Sequence, residues 1–196
     1  MTSSVELPLE PQLEQYIRQF EDAKATIREL TAGLTEEQFN QRPSQDSWSV
    51  GEVVDHLCIL AKLVLQRMEE RIEYGRKKGI LKPGPYRYDW LSRFAIKLVG
   101  KPAPNKKKRR LPAPKIYVPG RTMAMTSKIE EFVNVQDTLG DCARRANGLN
   151  IAKIKVASPE TILVRISIGG WLEAIASHQL RHFDQIRNVR AALGVK

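Results

Sequence analysis

The sequence is poor in the residues that bind metals or form disulfides, and it lacks long apolar runs. It has two cysteines and three histidines in 196 residues, and no stretch approaches the roughly 20 apolar residues of a membrane span. Cys58 and Cys142 fall within apolar helical patterns, which predicts buried free thiols rather than a disulfide or redox pair. Residues 1–15 are acidic and lack the features of a secretory signal. These absences predict a globular cytoplasmic protein with no membrane partner.

The net charge of +10 is concentrated in one segment. Residues 97–115 contain eight basic residues, four prolines and no acidic residue, while the rest of the chain carries only +2. The prolines favour an irregular loop over about residues 97–121. This loop is either a solvated surface or an anion-attracting lip beside a binding site, and its cluster comprises Lys106, Lys107, Lys108, Arg109 and Arg110. No aromatic residue alternates with these charges, so a nucleic-acid partner is not favoured.

Hydrophobic periodicity predicts four long helices within a single domain over residues 1–196. They run from about Glu10 to Leu34, from Ser49 to Gly75 or Gly79, from near Thr122 to about Leu149, and from Gly170 or Trp171 to about Leu193. Two serine- or threonine-led starts have the spacing of a capping box, namely Thr35 with Gln38 and Ser49 with Glu52.

Proline and glycine mark a long irregular crossing at residues 80–121, with a short helix expected in "YDWLSRFAIKLVG". The stretch "PETILVRISIGG", residues 159–170, alternates like a strand. Because no second strand is evident to pair with it, we interpret it as a linker. Four long helices with one long crossing predict an all-α four-helix bundle.

The three histidines suggest a metal site but do not establish it. His178 and His182 are four residues apart and share one face of the last helix, and His56 lies on the apolar side of the second long helix. Three imidazoles would hold a divalent ion with one position open, and an all-nitrogen set suits zinc or nickel. The alternative is that they are ordinary hydrogen-bonded histidines inside a helical protein.

Two further residues are candidates for supporting roles. Glu52 lies one turn before His56 and is a weak candidate for a general base, although its spacing from Ser49 also suits a capping role. Gln185 lies three residues after His182, where it can hydrogen-bond a ligand histidine or orient a water molecule.

Two long segments and one short one resemble the DinB/YfiT-like superfamily. "LTEEQFNQRPSQDSWSVGEVVDHLCILAKL" resembles its second-helix signature, "WLEAIASHQLRHFDQIRNVRAAL" its last helix, and "APKIYVPGR" the entry to its third helix. The resemblance implies a four-helix bundle with a divalent metal, often nickel or zinc, held here by His56, His178 and His182. It also implies a homodimer. One departure is Gln179, where a glutamate often stands in this family.

The resemblance implies a metal-dependent hydrolase or a low-molecular-weight-thiol S-transferase acting on a small molecule. Metal could activate water for hydrolysis or ionise a thiol. Two other hypotheses stay open, namely a metal-stabilised bundle without catalysis and a nucleic-acid binder that uses the basic loop.

Overall fold

The computed structural model describes residues 8–100 and 113–195, which form a helical bundle with one small hairpin. The long helices are α1 (Pro11–Thr31), α3 (Val50–Lys77), α5 (Met125–Arg145) and α6 (Ile168–Ala192), and the short ones are α2 (Glu36–Asn40) and α4 (Trp90–Val99). A 3-10 turn spans Lys115–Tyr117, and strands β1 (Lys155–Ala157) and β2 (Arg165–Ser167) precede α6. No described helix is long and apolar enough to cross a membrane. The predicted all-α four-helix bundle is confirmed.

The helix starts follow the local chemistry of the sequence. Both predicted capping boxes are present, because Thr35 and Gln38 cap α2 reciprocally and Ser49 and Glu52 cap α3 in the same way. Asp89 accepts a hydrogen bond from the backbone N–H of Ser92 and so caps α4. These bonds satisfy backbone donors that have no partner within a helix.

The four long helices form a bundle in which sequence neighbours are not all spatial neighbours. α1 and α3 each pack against both α5 and α6, so α1 and α3 occupy opposite corners of the bundle. The apolar stripes meet in two clusters, one centred on α1, α3 and the hairpin and the other on α2, the start of α3 and the end of α6. Cys58 and Cys142 are buried free thiols within these clusters, as predicted.

The interpretation of residues 159–170 as a linker is wrong. Residues 165–167 form β2, which pairs antiparallel with β1. The hairpin is stable because Val156 and Ile166 point together into the core, with exposed fractions of 0% and 4%. Arg71 on α3 also donates to the carbonyl of Lys155, which ties β1 to the bundle.

Several predicted boundaries also differ from the structure. α1 ends at Thr31 rather than Leu34, and α5 ends at Arg145 rather than Leu149. α5 begins at Met125 rather than Thr122, and α6 begins directly after β2 at Ile168. The predicted loop of residues 97–121 is partly helical, because α4 extends to Val99.

The crossing between α3 and α5 brings two backbone segments to α6 and α3. The short helix predicted in this region is α4, and it packs along α6. The side chain of Ser92 bonds to that of Ser167, the N-cap of α6, at 3.0 Å. Further along, the 3-10 turn contacts α3. The crossing therefore frames the region where α3 and α6 meet.

Candidate metal centre

Three buried histidines meet where α3 and α6 pack together. His56 lies in the second turn of α3, and His178 and His182 lie one turn apart on α6. Residues four apart on a helix share one face, so both α6 histidines point toward His56. Their exposed fractions are 5% for His56, 7% for His178 and 5% for His182. The structure thus brings together the three histidines that the sequence singled out.

The ring nitrogens are close enough to share one divalent ion. The Nε2 atoms of His56 and His178 are 3.2 Å apart, and one ring nitrogen of each histidine lies within 4.8 Å of those of the others. Two nitrogens bound to one tetrahedral zinc ion stand about 3.4 Å apart, given Zn–N bonds of about 2.1 Å. Within residues 8–100 and 113–195, no other group of three histidine, cysteine or acidic side chains meets this condition.

Each histidine uses its other nitrogen to bond an oxygen acceptor. The Nδ1 of His56 is 2.8 Å from the carbonyl oxygen of Tyr117, and the Nδ1 of His178 is 3.0 Å from that of Val99. The Nδ1 of His182 is 2.8 Å from Oε1 of Gln185. An oxygen acceptor requires the proton to be on Nδ1, which leaves Nε2 with a free lone pair. This is the arrangement that orients metal-binding imidazoles in proteins.

Burial keeps the rings of His56 and His182 neutral at physiological pH. Burial lowers the pKa of His56, and it lowers the pKa of His182 to about 2, with a further contribution from the neighbouring histidines. Neutral imidazole is the form that binds metal ions, so these two rings need no deprotonation before binding.

Glu52 lies one turn before His56 on α3, and its carboxylate is bonded to Arg42 and Ser49. Its carboxylate accepts a hydrogen bond of 2.6 Å from Nε of Arg42 and one of 2.9 Å from the backbone N–H of Ser49. Burial acts to raise the pKa of Glu52, but the bonds from Arg42 and Ser49 together outweigh it and hold that pKa below its ordinary value. These contacts favour the capping role over that of a base.

Two neighbours shape the surroundings of the histidines. The ring of Trp48 packs against His56 with centroids 4.9 Å apart. Gln179, the departure from the family pattern, donates from Nε2 to Oε1 of Gln136 at 2.8 Å, and both side chains are buried. Gln179 therefore joins α6 to α5 through a buried amide contact.

Two supporting groups were missed by the sequence reasoning, namely the carbonyls of Val99 and Tyr117. Tyr117 lies within the "APKIYVPGR" segment, but nothing in that segment indicates a carbonyl aimed at His56. Val99 carried no signal, because its approach to His178 depends on how α4 packs on α6. The predicted anion-attracting cluster, residues 106–110, lies outside the described residues.

Comparisons with known proteins agree with this architecture. Residues 19–186 match the family model of the DinB superfamily. YuaE, an uncharacterized protein of Bacillus subtilis, is 23% identical over 176 residues, covering 87% of this chain and 94% of its own. The solved structure of YfiT from Bacillus subtilis is also similar, and YfiT is described as a probable metal-dependent hydrolase with an unusual four-helix bundle topology. Its sequence is 14% identical, and the TM-score is 0.62 with 100% of this chain and 95% of that chain covered. This chain belongs to the DinB superfamily.

Proposed function

We propose that this protein is a metal-dependent hydrolase of small molecules, with a zinc or nickel ion held by His56, His178 and His182. The observation that carries the proposal is the pair of Nε2 atoms of His56 and His178, which face each other at 3.2 Å. Because both Nδ1 atoms donate to carbonyls, both Nε2 atoms present lone pairs.

Two lone pairs at this distance repel each other unless a cation or a proton lies between them. Burial disfavours a charged imidazole, as the lowered pKa values of His56 and His182 indicate. The lone pairs of the three rings could all be donated to one bound divalent ion, and this would remove the repulsion. Such an ion also accounts for the presence of three imidazoles in one buried cluster.

The proposed hydrolysis depends on the metal and on the groups that orient its three histidine ligands. A divalent ion would be held by His56, His178 and His182, and when bound it would supply the Lewis acidity that activates water for hydrolysis or ionises a thiol. The carbonyls of Val99 and Tyr117 and the amide of Gln185 fix the ring orientations. Trp48 shields one side of His56. We assign Glu52 to the support of α3 rather than to proton transfer, because its carboxylate already accepts bonds from Arg42 and Ser49.

The first experiment is metal analysis of the purified, untagged protein by mass spectrometry. We expect about one equivalent of zinc or nickel in the wild type and its loss from the His56→Ala/His178→Ala variant. Glu130→Ala, which removes an exposed carboxylate on α5, is the matched control and should retain the metal. A wild type that neither carries nor acquires zinc or nickel would contradict the proposal.

The reaction class is tested on the loaded protein with ester, amide and thiol-acceptor substrates. Hydrolysis that is lost in the double variant supports the proposed function. Thiol transfer without hydrolysis would support the S-transferase alternative, and stoichiometric metal without either activity would support a metal-stabilised bundle. Salt-dependent nucleic-acid binding that survives in the double variant but is lost when residues 106–110 are neutralised would support the binding alternative.

A further inference from the structure

Arg181 is a basic residue next to the proposed metal ligands. It directly precedes His182 on α6 and follows His178 by three residues, so it lies along the same part of the helix. Its side chain is half-buried. Burial lowers the pKa of its guanidinium, yet an arginine remains charged at neutral pH.

Arg181 differs from the other half-buried basic residues because it has no partner among the residues that the structure describes. Across residues 8–100 and 113–195, seven other half-buried lysines and arginines each bond a carboxylate or a backbone carbonyl, namely Lys24, Arg42, Arg67, Arg71, Lys128, Lys155 and Arg190. Arg181 makes no hydrogen bond or ion pair within these ranges. Partly burying an unpaired charge is unfavourable, so a bound anion would stabilise the guanidinium at this position.

The charge of Arg181 acts on the histidine cluster. Arg181 follows His178 by three residues on α6, a spacing at which side chains are neighbours on a helix surface, and its charge contributes to lowering the pKa of both His56 and His182. The two carboxylates closest to His56 along α3 do not neutralise the charge of Arg181, because Glu52 pairs with Arg42 and Asp55 pairs with Lys128. With a divalent ion bound, the centre would carry the charge of the metal together with that of Arg181.

We propose that Arg181 binds an oxyanion of the substrate, a carboxylate or phosphate group, beside the metal centre. This inference rests on the proposed function, because it concerns the substrate of that same site. A guanidinium binds carboxylate and phosphate oxygens through two parallel hydrogen bonds, which fixes orientation as well as charge. Arg181 would thereby select anionic substrates and orient them toward the open position.

The test uses cobalt(II) as a probe metal, because its visible absorption reports on groups that enter its coordination sphere. Wild type, Arg181→Gln, Arg181→Lys and Arg187→Gln are loaded with cobalt and titrated with acetate, methylphosphonate and neutral imidazole. Arg187 is a matched control on α6, where it is exposed and paired with Asp184 at 2.9 Å. Circular dichroism checks the fold of each variant.

We expect Arg181→Gln to weaken acetate and methylphosphonate binding about tenfold or more, as the loss of charge-assisted hydrogen bonds predicts. The imidazole affinity of Arg181→Gln should change less than about twofold. Arg181→Lys should recover part of the oxyanion affinity because it retains the positive charge. Arg187→Gln should resemble the wild type.

Three outcomes would overturn the inference. The first is that the wild type and Arg181→Gln bind oxyanions with equal affinity. The second is that Arg181→Gln loses oxyanion and imidazole affinity to the same extent. The third is that the cobalt-loaded wild type binds no oxyanion. A wild type that takes up no cobalt would instead contradict the proposed function itself, so the two failures are distinguishable.

Discussion

At the scale of single residues, the three histidines differ in what holds their Nδ1 atoms. His56 and His178 rely on backbone carbonyls, whereas His182 relies on the side chain of Gln185. A backbone acceptor cannot be removed by substitution, but a side-chain acceptor can. Gln185 is therefore the residue at which orientation of the centre can be tested without changing a proposed ligand.

We expect Gln185→Leu to weaken metal binding by about 10- to 100-fold, because His182 loses the acceptor that sets its tautomer and ring orientation. Gln185→Glu retains an acceptor and should bind at least as tightly as Gln185→Leu. Competition with a chromogenic chelator measures the affinities, and Asn188→Leu, on an exposed position of α6, is the control. Equal affinities for wild type and Gln185→Leu would show that this bond does not support the centre.

The buried histidines also predict how pH affects the metal-free protein. Burial lowers the pKa of His182 from 6.5 to about 2. Between these values the unfolded chain binds a proton that the folded chain excludes, so stability present above pH 6.5 is lost as the pH falls. The expected loss from one such histidine is about 1.4 kcal/mol per pH unit.

Urea unfolding of chelator-treated protein at pH 7.5, 6.5 and 5.5 measures this loss. His182→Gln should show a shallower decline in its free energy of unfolding than the wild type, because the substituted side chain does not titrate. Parallel declines in the two proteins would indicate that His182 is accessible to protons in the folded state.

At the scale of elements, the start of α3 links a helix cap to the proposed centre. Glu52 is 1% exposed and accepts bonds from Arg42 and from the backbone of Ser49. We expect Glu52→Gln to lower the free energy of unfolding by about 2 kcal/mol, because charge-assisted bonds are weakened in a buried position.

The same variant distinguishes support from proton transfer. If Glu52 supports α3, Glu52→Gln loses stability in urea unfolding while it retains metal and a large share of any hydrolysis. Unchanged stability together with a loss of hydrolysis of 100-fold or more would instead identify Glu52 as a general base.

The junction between the hairpin and α6 depends on a close approach at Gly169. A Cβ at this position would overlap the phenol ring of Tyr88, whose hydroxyl bonds that of Tyr16 at 2.9 Å. We expect Gly169→Ala to destabilise the protein by about 1–3 kcal/mol, because the ring and its hydrogen bond must shift.

Gly140 provides the matched comparison on α5. There a Cβ would meet only the flexible end of Arg144 at 3.4 Å. Alanine has the higher helix propensity, so Gly140→Ala should be neutral or stabilise by up to about 1 kcal/mol. Thermal unfolding of both variants provides the test, and a Gly169→Ala protein as stable as the wild type would contradict the packing argument.

At the scale of the whole molecule, a metal at the three histidines would join α3 to α6. A ligand that binds only the folded state stabilises it by about 2.7 kcal/mol at 100 times its dissociation constant. For a chain of this size, that corresponds to a rise in Tm of about 5–10 °C.

Thermal scans with and without zinc or nickel measure this coupling. The wild type should show the shift and the His56→Ala/His178→Ala variant should show none. An equal shift in both proteins would indicate that metal binds elsewhere on the chain.

Much of this protein was determined by short-range features of its sequence. The four long helices follow from apolar residues that recur every three or four positions, and two helix starts follow from capping pairs three residues apart. The spacing of His178 and His182 also fixes a shared face, because helix geometry alone sets it. Such features depend on a few neighbouring residues, so they can be identified without tertiary structure.

Only the tertiary structure decided which backbone carbonyls bond the Nδ1 atoms of His56 and His178. The carbonyl of Tyr117 reaches His56 across 61 positions, and that of Val99 reaches His178 across 79. Every residue has a carbonyl, so no residue type marks these two in advance. Likewise, the hairpin forms because Val156 and Ile166 are buried together in the core. Whether Arg181 finds a partner within residues 8–100 and 113–195 depends on which carboxylates other helices bring near it. These are long-range contacts, and their energies depend on packing that local sequence patterns do not encode.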